Sequence, residues 1–105
     1  MTNDDLLVML KSDLEIITEY MDEEAKAAKN AELMNYINAA KTYITREGIT
    51  LSLDDIGDCQ LIVMYATWLY EKRKSGTSYG REVGMPRMLQ YIKNSRLAQE
   101  KMKNG

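Results

Sequence analysis

Three groups of side chains in this chain have types and spacings that chemistry could use. Asp54, Asp55 and Asp58 form a carboxylate cluster, Asp22-Glu23-Glu24 forms a second, and Gly76, Gly80 and Gly84 recur at even intervals. Grouped carboxylates serve acid–base catalysis or hold divalent cations, and spaced glycines can cradle phosphate. Each group also has a structural explanation that asks for less. Aspartates just ahead of an apolar helical run cap its first turn and complement its dipole. An acidic triplet among alanines and lysines reads as a solvated helix face. The glycines lack a Gly-Lys-Ser/Thr signature, and no strand leads into them, so a phosphate-binding loop is not supported. Histidine is absent, which removes the commonest general base and metal ligand together. The lone Cys59, flanked by Ile56, Leu61 and Ile62, reads as a small buried hydrophobe, with a reactive thiol as the alternative. Catalysis, a cofactor and a metal site are therefore not expected.

The bases are arranged differently. Lys72, Arg73, Lys74, Arg81, Arg87, Lys93 and Arg96 alternate with Tyr70, Tyr79 and Tyr91, a composition able to follow a phosphate backbone. A helix-turn-helix would need a tight turn between the last two helices, whereas residues 75–85 separate them here. Nucleic-acid contact would accordingly be independent of sequence. Charge is also polarised along the chain. Residues 1–60 hold thirteen acids against five bases, a net of −8, and residues 61–105 hold three acids against nine bases, a net of +6. Such halves either neutralise one another inside the fold or offer complementary surfaces to other copies. Sequence alone leaves both open.

Positioning these groups falls to helices. At 105 residues the chain fits one domain, and 45% apolar with 29% charged residues marks it as globular. Apolar positions recur at three and four residues almost throughout, which predicts an all-α domain of about four helices. The first helix is expected from Asp4 to about Ser12, with Asn3 as N-cap and Leu6, Leu7, Leu10 and Leu14 inward. Ile16 and Ile17 form a link, and Thr18 caps a long second helix from about Glu19 to Glu47. The first half of that helix has few large apolar groups. Its second half carries Leu33, Tyr36, Ile37, Ala40, Tyr43 and Ile44 as an amphipathic stripe, closed by Gly48. Ser52 and Asp55 form a variant capping box for a third helix reaching about Lys74. From Leu61 to Tyr70 it is apolar nearly all round, so it should be central, with Met64, Trp68 and Leu69 inaccessible. A loop over residues 75–85 precedes Pro86, which fits the first position of a fourth helix carrying Met88, Leu89, Ile92 and Leu97 inward. The longest apolar run is half the length that spans a bilayer, and the acidic start is unlike a signal peptide. A cytosolic origin without membrane contact is expected.

Taken in order, several blocks resemble one family. They are Leu10-Lys11-Ser12-Asp13-Leu14-Glu15-Ile16, the stripe from Leu33 to Ile44 with Gly48, the segment Tyr65-Ala66 through Leu69-Tyr70 to Lys72-Arg73, and Met85-Pro86-Arg87 with Leu89. Their order and spacing resemble the small head–tail connector (head-completion adaptor) proteins of tailed bacteriophages. The acidic, alanine-rich insert from Asp22 to Lys29 is longer than that pattern. The resemblance implies a helical protomer that assembles in about twelve copies into a ring under the portal. It further implies contact with the portal protein and the next tail-proximal connector protein, and transient, non-specific contact with DNA in the channel. It implies no catalysis. Interface residues expected on this basis are Tyr70, Lys72, Arg73, Lys74, Arg81, Met85, Pro86 and Arg87. The alternative is a small helical nucleic-acid-binding or regulatory protein that uses the same basic residues.

Overall fold

The computed structural model describes residues 1–79 and 84–104, the side chains of 74–79 and 104 excepted. It contains helices α1 (Asn3–Leu14), α2 (Glu23–Arg46), α3 (Ile56–Tyr79) and α4 (Arg87–Asn104), with no strand among the described residues. The domain is all-α, as the periodicity predicts.

Helix starts are set by side-chain acceptors one to four residues from where the pattern places them. Thr2, not Asn3, caps α1 through a reciprocal box: the Asp5 N–H donates to Thr2 Oγ1 (3.2 Å) and the Thr2 N–H to the Asp5 carboxylate (2.8 Å). These bonds hold the Asp5 carboxyl below its ordinary value. The helix ends at Glu15, a non-glycine residue in the left-handed region (φ 57°), whose N–H, with that of Ile16, returns to the carbonyls of Ser12 and Lys11. The second helix begins four residues later than expected. Asp22 is its N-cap, accepting the Ala25 N–H at 2.7 Å. Thr18 is instead buried, accepts the Lys11 ammonium at 3.2 Å, and opens a turn through its carbonyl to the Met21 N–H. Residues 19–21 thus belong to the link, because Asp22 supplies the charged acceptor at a position where the chain is already turned.

The stripe of α2 is borne out at Leu33, Ile37, Ala40 and Ile44, all fully buried, while Tyr36 is half-buried and Tyr43 exposed. Gly48 follows the cap residue Glu47 at φ +103°, a conformation that disfavours any side chain although a Cβ there would meet Leu97 only at an ordinary 3.9 Å. Asp55 caps α3, its carboxylate accepting the Asp58 N–H at 3.2 Å, whereas Ser52 Oγ reaches only the Asp54 N–H.

Helix α3 packs against each of the other three helices. Cys59, Leu61, Ile62, Val63, Tyr65 and Ala66 are buried, and from Thr67 to Tyr70 burial is partial. The expected all-round burial to Tyr70 is corrected accordingly: Met64, Trp68 and Leu69 are half-buried, packed against the core on one side only. The helix also continues past Lys74 to Tyr79, into residues expected as loop. One glycine costs a helix only about 1 kcal/mol, and no proline stands in the way before Pro86. In α4, Leu89 is buried and Ile92 and Leu97 join the core, but Met88 is exposed and points away.

Two substitutions test this arrangement by chemical denaturation. Ile37→Ala should cost about 2–5 kcal/mol through the cavity it opens. Asp22→Ala should cost about 1 kcal/mol, while helix content falls only at the start of α2.

Candidate functional site

Tyr70, Lys72 and Arg73 lie where the end of α3 runs beside the first half of α2. The Tyr70 hydroxyl accepts a hydrogen bond from the Lys29 ammonium at 3.1 Å, which also sits over the Tyr70 ring, 5.2 Å from its centroid. That hydroxyl raises the Lys29 pKa, with Glu32 adding to the shift. Tyr36 meets Tyr70 edge-on at 5.4 Å, and its hydroxyl accepts from Arg73 at 3.4 Å. The Lys72 ammonium lies 5.0 Å from the Trp68 ring centroid, a cation–π arrangement. Neither Lys72 nor Arg73 forms an ion pair with a carboxylate among the described residues. Both keep their charge available at the surface.

Met85, Pro86 and Arg87 stand at the entry to α4. Met85 is half-buried against the core, and Pro86 and Arg87 are exposed. The Pro86 carbonyl accepts the Gln90 N–H, so proline occupies the cap rather than the first helical position, one residue earlier than expected. The Lys74 side chain and Arg81 lie outside the described residues.

The other expected bases are spent inside the fold. Lys93 pairs with Glu47 at 2.8 Å, linking α4 to the end of α2. Arg96 is the centre of a network that sequence reasoning missed. Its Nε donates to Asp58 Oδ1 (2.8 Å), Nη1 to Glu100 (2.9 Å) and Nη2 to the Thr50 carbonyl (2.7 Å). The two carboxylates then accept backbone N–H groups, Glu100 from Thr50 and Asp58 from Ser52. Asp58 and Glu100 are almost inaccessible. Of the aspartate cluster, therefore, Asp55 is the cap and Asp58 is a buried counter-ion. The only available signal was spacing: Arg96 and Glu100 are four apart on one helix face. The phosphate track running on to Arg96 is broken, because Lys93 and Arg96 face carboxylates.

Cys59 is buried, its thiol donating to the Leu53 carbonyl at 3.3 Å, and burial raises its pKa. That is the environment of an inert packing thiol. Among the described residues no cluster of three His, Cys, Asp or Glu side chains is placed to hold a metal ion, and no helix is long and apolar enough to cross a membrane.

Several large apolar side chains also remain on the surface. Ile17 (67% exposed), Tyr20 (91%), Met88 (63%), Tyr91 (72%) and Met102 (82%) all face solvent. Tyr91 borders a groove of about 330 Å³ between α3 and α4, floored by Leu61 and Ile92. No family model, curated protein or solved structure matches the chain.

The Arg96 network sets an acid limit on stability. Hydrogen bonds from Thr50 and then from Arg96 hold the Glu100 carboxyl at about 2, below its ordinary 4.5. A carboxyl depressed by folding stabilises the fold above its unfolded pKa, and that contribution is lost as pH falls from about 4.5 toward 2. Glu100→Gln should flatten this part of a melting-temperature profile against pH. Arg96→Met, which strands two buried carboxylates, should cost about 3–5 kcal/mol at neutral pH.

Proposed function

We propose that this chain is a structural, self-assembling protein whose exposed surfaces bind other protein subunits. More particularly, it acts as a head–tail connector of a tailed bacteriophage, forming a ring beneath the portal that continues the DNA channel toward the tail. One observation carries the reading: large apolar side chains, Tyr20, Tyr91, Met88 and Ile17 among them, stay exposed on a domain whose core is otherwise closed. Exposed apolar surface rimmed by charge is characteristic of protein interaction sites.

Two further observations support it. The blocks that carry the family resemblance meet in space. Tyr43 stacks on Tyr65 (6.1 Å), Tyr65 meets Trp68 edge-on (5.5 Å), and Tyr36 meets Tyr70, so the second and third blocks form one seam between α2 and α3. The seam ends at Lys72 and Arg73, which form no ion pair with a carboxylate among the described residues. Two of the bases that a nucleic-acid-binding protein would need are neutralised within the chain. DNA contact is then transient and non-specific, suited to a channel through which the duplex must slide.

The protein performs no catalysis in this role. Its partners are its own copies in a closed ring, the portal protein and the next tail-proximal connector protein. It is made in the host cytoplasm and resides finally in the virion neck. A ring is one heterologous contact repeated by rotation, so one surface must complement a different surface of the same chain.

The test combines circular dichroism for the fold with light scattering and electron microscopy for assembly, with and without the cognate portal protein. The parent should form rings or bind the portal, and Arg73→Glu with Arg87→Glu should weaken either without loss of helix, since both are exposed. DNA binding should be weak and indifferent to sequence. A parent that never assembles or docks, or that binds one DNA sequence tightly at physiological salt, would sink the assignment.

A further inference from the structure

Two of the exposed apolar patches carry opposite charge and stand at opposite ends of α2. The first is the corner where α1 gives way to α2. Ile17 and Tyr20 project there, beside exposed Glu19, Asp22, Glu23 and Glu24. None of these four acids forms an ion pair among the described residues. The second is the outer face of α4, where Met88, Tyr91 and Met102 fall on one stripe by helical spacing. Exposed Arg87, Lys101 and Lys103 flank it, again without an ion-pair partner among the described residues. Lys93 and Arg96 are consumed on the inner face of the same helix. The Lys93–Glu47 pair fastens α4 at the end of α2. The acidic corner lies at the start of that helix, roughly 35 Å away at 1.5 Å per residue.

We propose that the α4 stripe of one copy docks on the α1–α2 corner of the next, with an aromatic side chain of the corner entering the groove beside Tyr91. The inference rests on the assembly reading above and specifies its contact. Pairing like with like is disfavoured. Two acidic corners would oppose four carboxylates each, and two α4 stripes would oppose their lysines and Arg87. Stripe on corner satisfies both charge sets and covers both apolar sets in one interface, with repulsion excluding the symmetric alternatives. Because the surfaces differ and lie far apart on the protomer, each copy can hold two neighbours at once, as a closed ring requires.

Charge exchange tests this directly, in whichever condition the parent assembles. Glu23→Lys with Glu24→Lys should reduce association about tenfold or more, and Arg87→Glu with Lys101→Glu should do the same. Melting temperatures should fall by a few degrees at most, since reversing charges at the helix ends opposes the dipoles while Asp22, which caps α2, is left intact. A chain carrying all four changes restores complementarity with reversed signs and should recover association to within about threefold of the parent. General damage to the fold would not be rescued in this way. A fourfold variant no better than the double variants overturns the proposal. So does unaltered assembly of either double variant, and both results leave the connector reading in place. Failure of the parent itself to assemble, alone or with portal, removes that reading instead.

Discussion

The Arg96 guanidinium is the interaction on which the placement of α4 depends. A single cation ties α4 to Asp58 at the start of α3, to Glu100 one turn further along its own helix, and to the Thr50 carbonyl in the preceding link. The same carboxylates collect the N–H groups of Thr50 and Ser52, which would otherwise lack partners in a segment without regular structure. Burying ions is costly, and an ion pair left half-satisfied is worse than an apolar replacement. Here every strong group has a partner, so the network trades desolvation for geometry. It fixes the link, the first turn of α3 and the direction of α4 together. Among the described residues of α4, Leu89 is the one fully buried among apolar neighbours, so packing alone would define that direction poorly.

Around this anchor, α2 and α3 form the body of the domain. Their buried residues, Leu33, Ile37, Ala40 and Ile44 against Leu61, Ile62, Tyr65 and Ala66, make up most of the core cluster. Toward the end of α3 the interface changes character. Aliphatic packing gives way to tyrosines whose hydroxyls receive Lys29 and Arg73. Such residues bury a ring while keeping a polar tip at the water, and long cations can rest their stems along the same surface. A helix end built this way stays soluble alone yet loses little when another protein covers it.

The sequence made the helices legible and their ends less so. Strong periodicity in α2 gave the buried set nearly residue for residue, because a 3.6-residue stripe admits one inward face. Sequence does not separate Thr18 from Asp22 as the cap of α2, since both are competent, and the Lys11 bond to Thr18 is a tertiary contact. Composition changes at the basic cluster and suggests an end for α3 there, although a Ser-Gly-Thr-Ser run can continue a helix at modest cost. Hydrophobicity alone points Trp68 into the core, whereas it is half-buried. Of the expected interface residues, Arg73 and Arg87 are exposed, whereas Tyr70 and Met85 are half-buried against the core. The role of Arg96 was hidden, because a partner thirty-eight residues away leaves no local pattern.

The first half of α2 has a consequence for how any assembly would form. No residue of that helix before Leu33 is fully buried, so about ten residues, roughly 15 Å of helix, add little to the apolar core, although Lys29 is tied to Tyr70 of α3. Amide hydrogens there should exchange by local fraying, well before those of Ile37 or Ala40 open. A neighbour seated at that end would suppress the fraying and draw on part of its own binding energy to do so. Because each corner meets a single neighbour, that ordering cost would recur at every contact around a ring rather than fall as the ring grows.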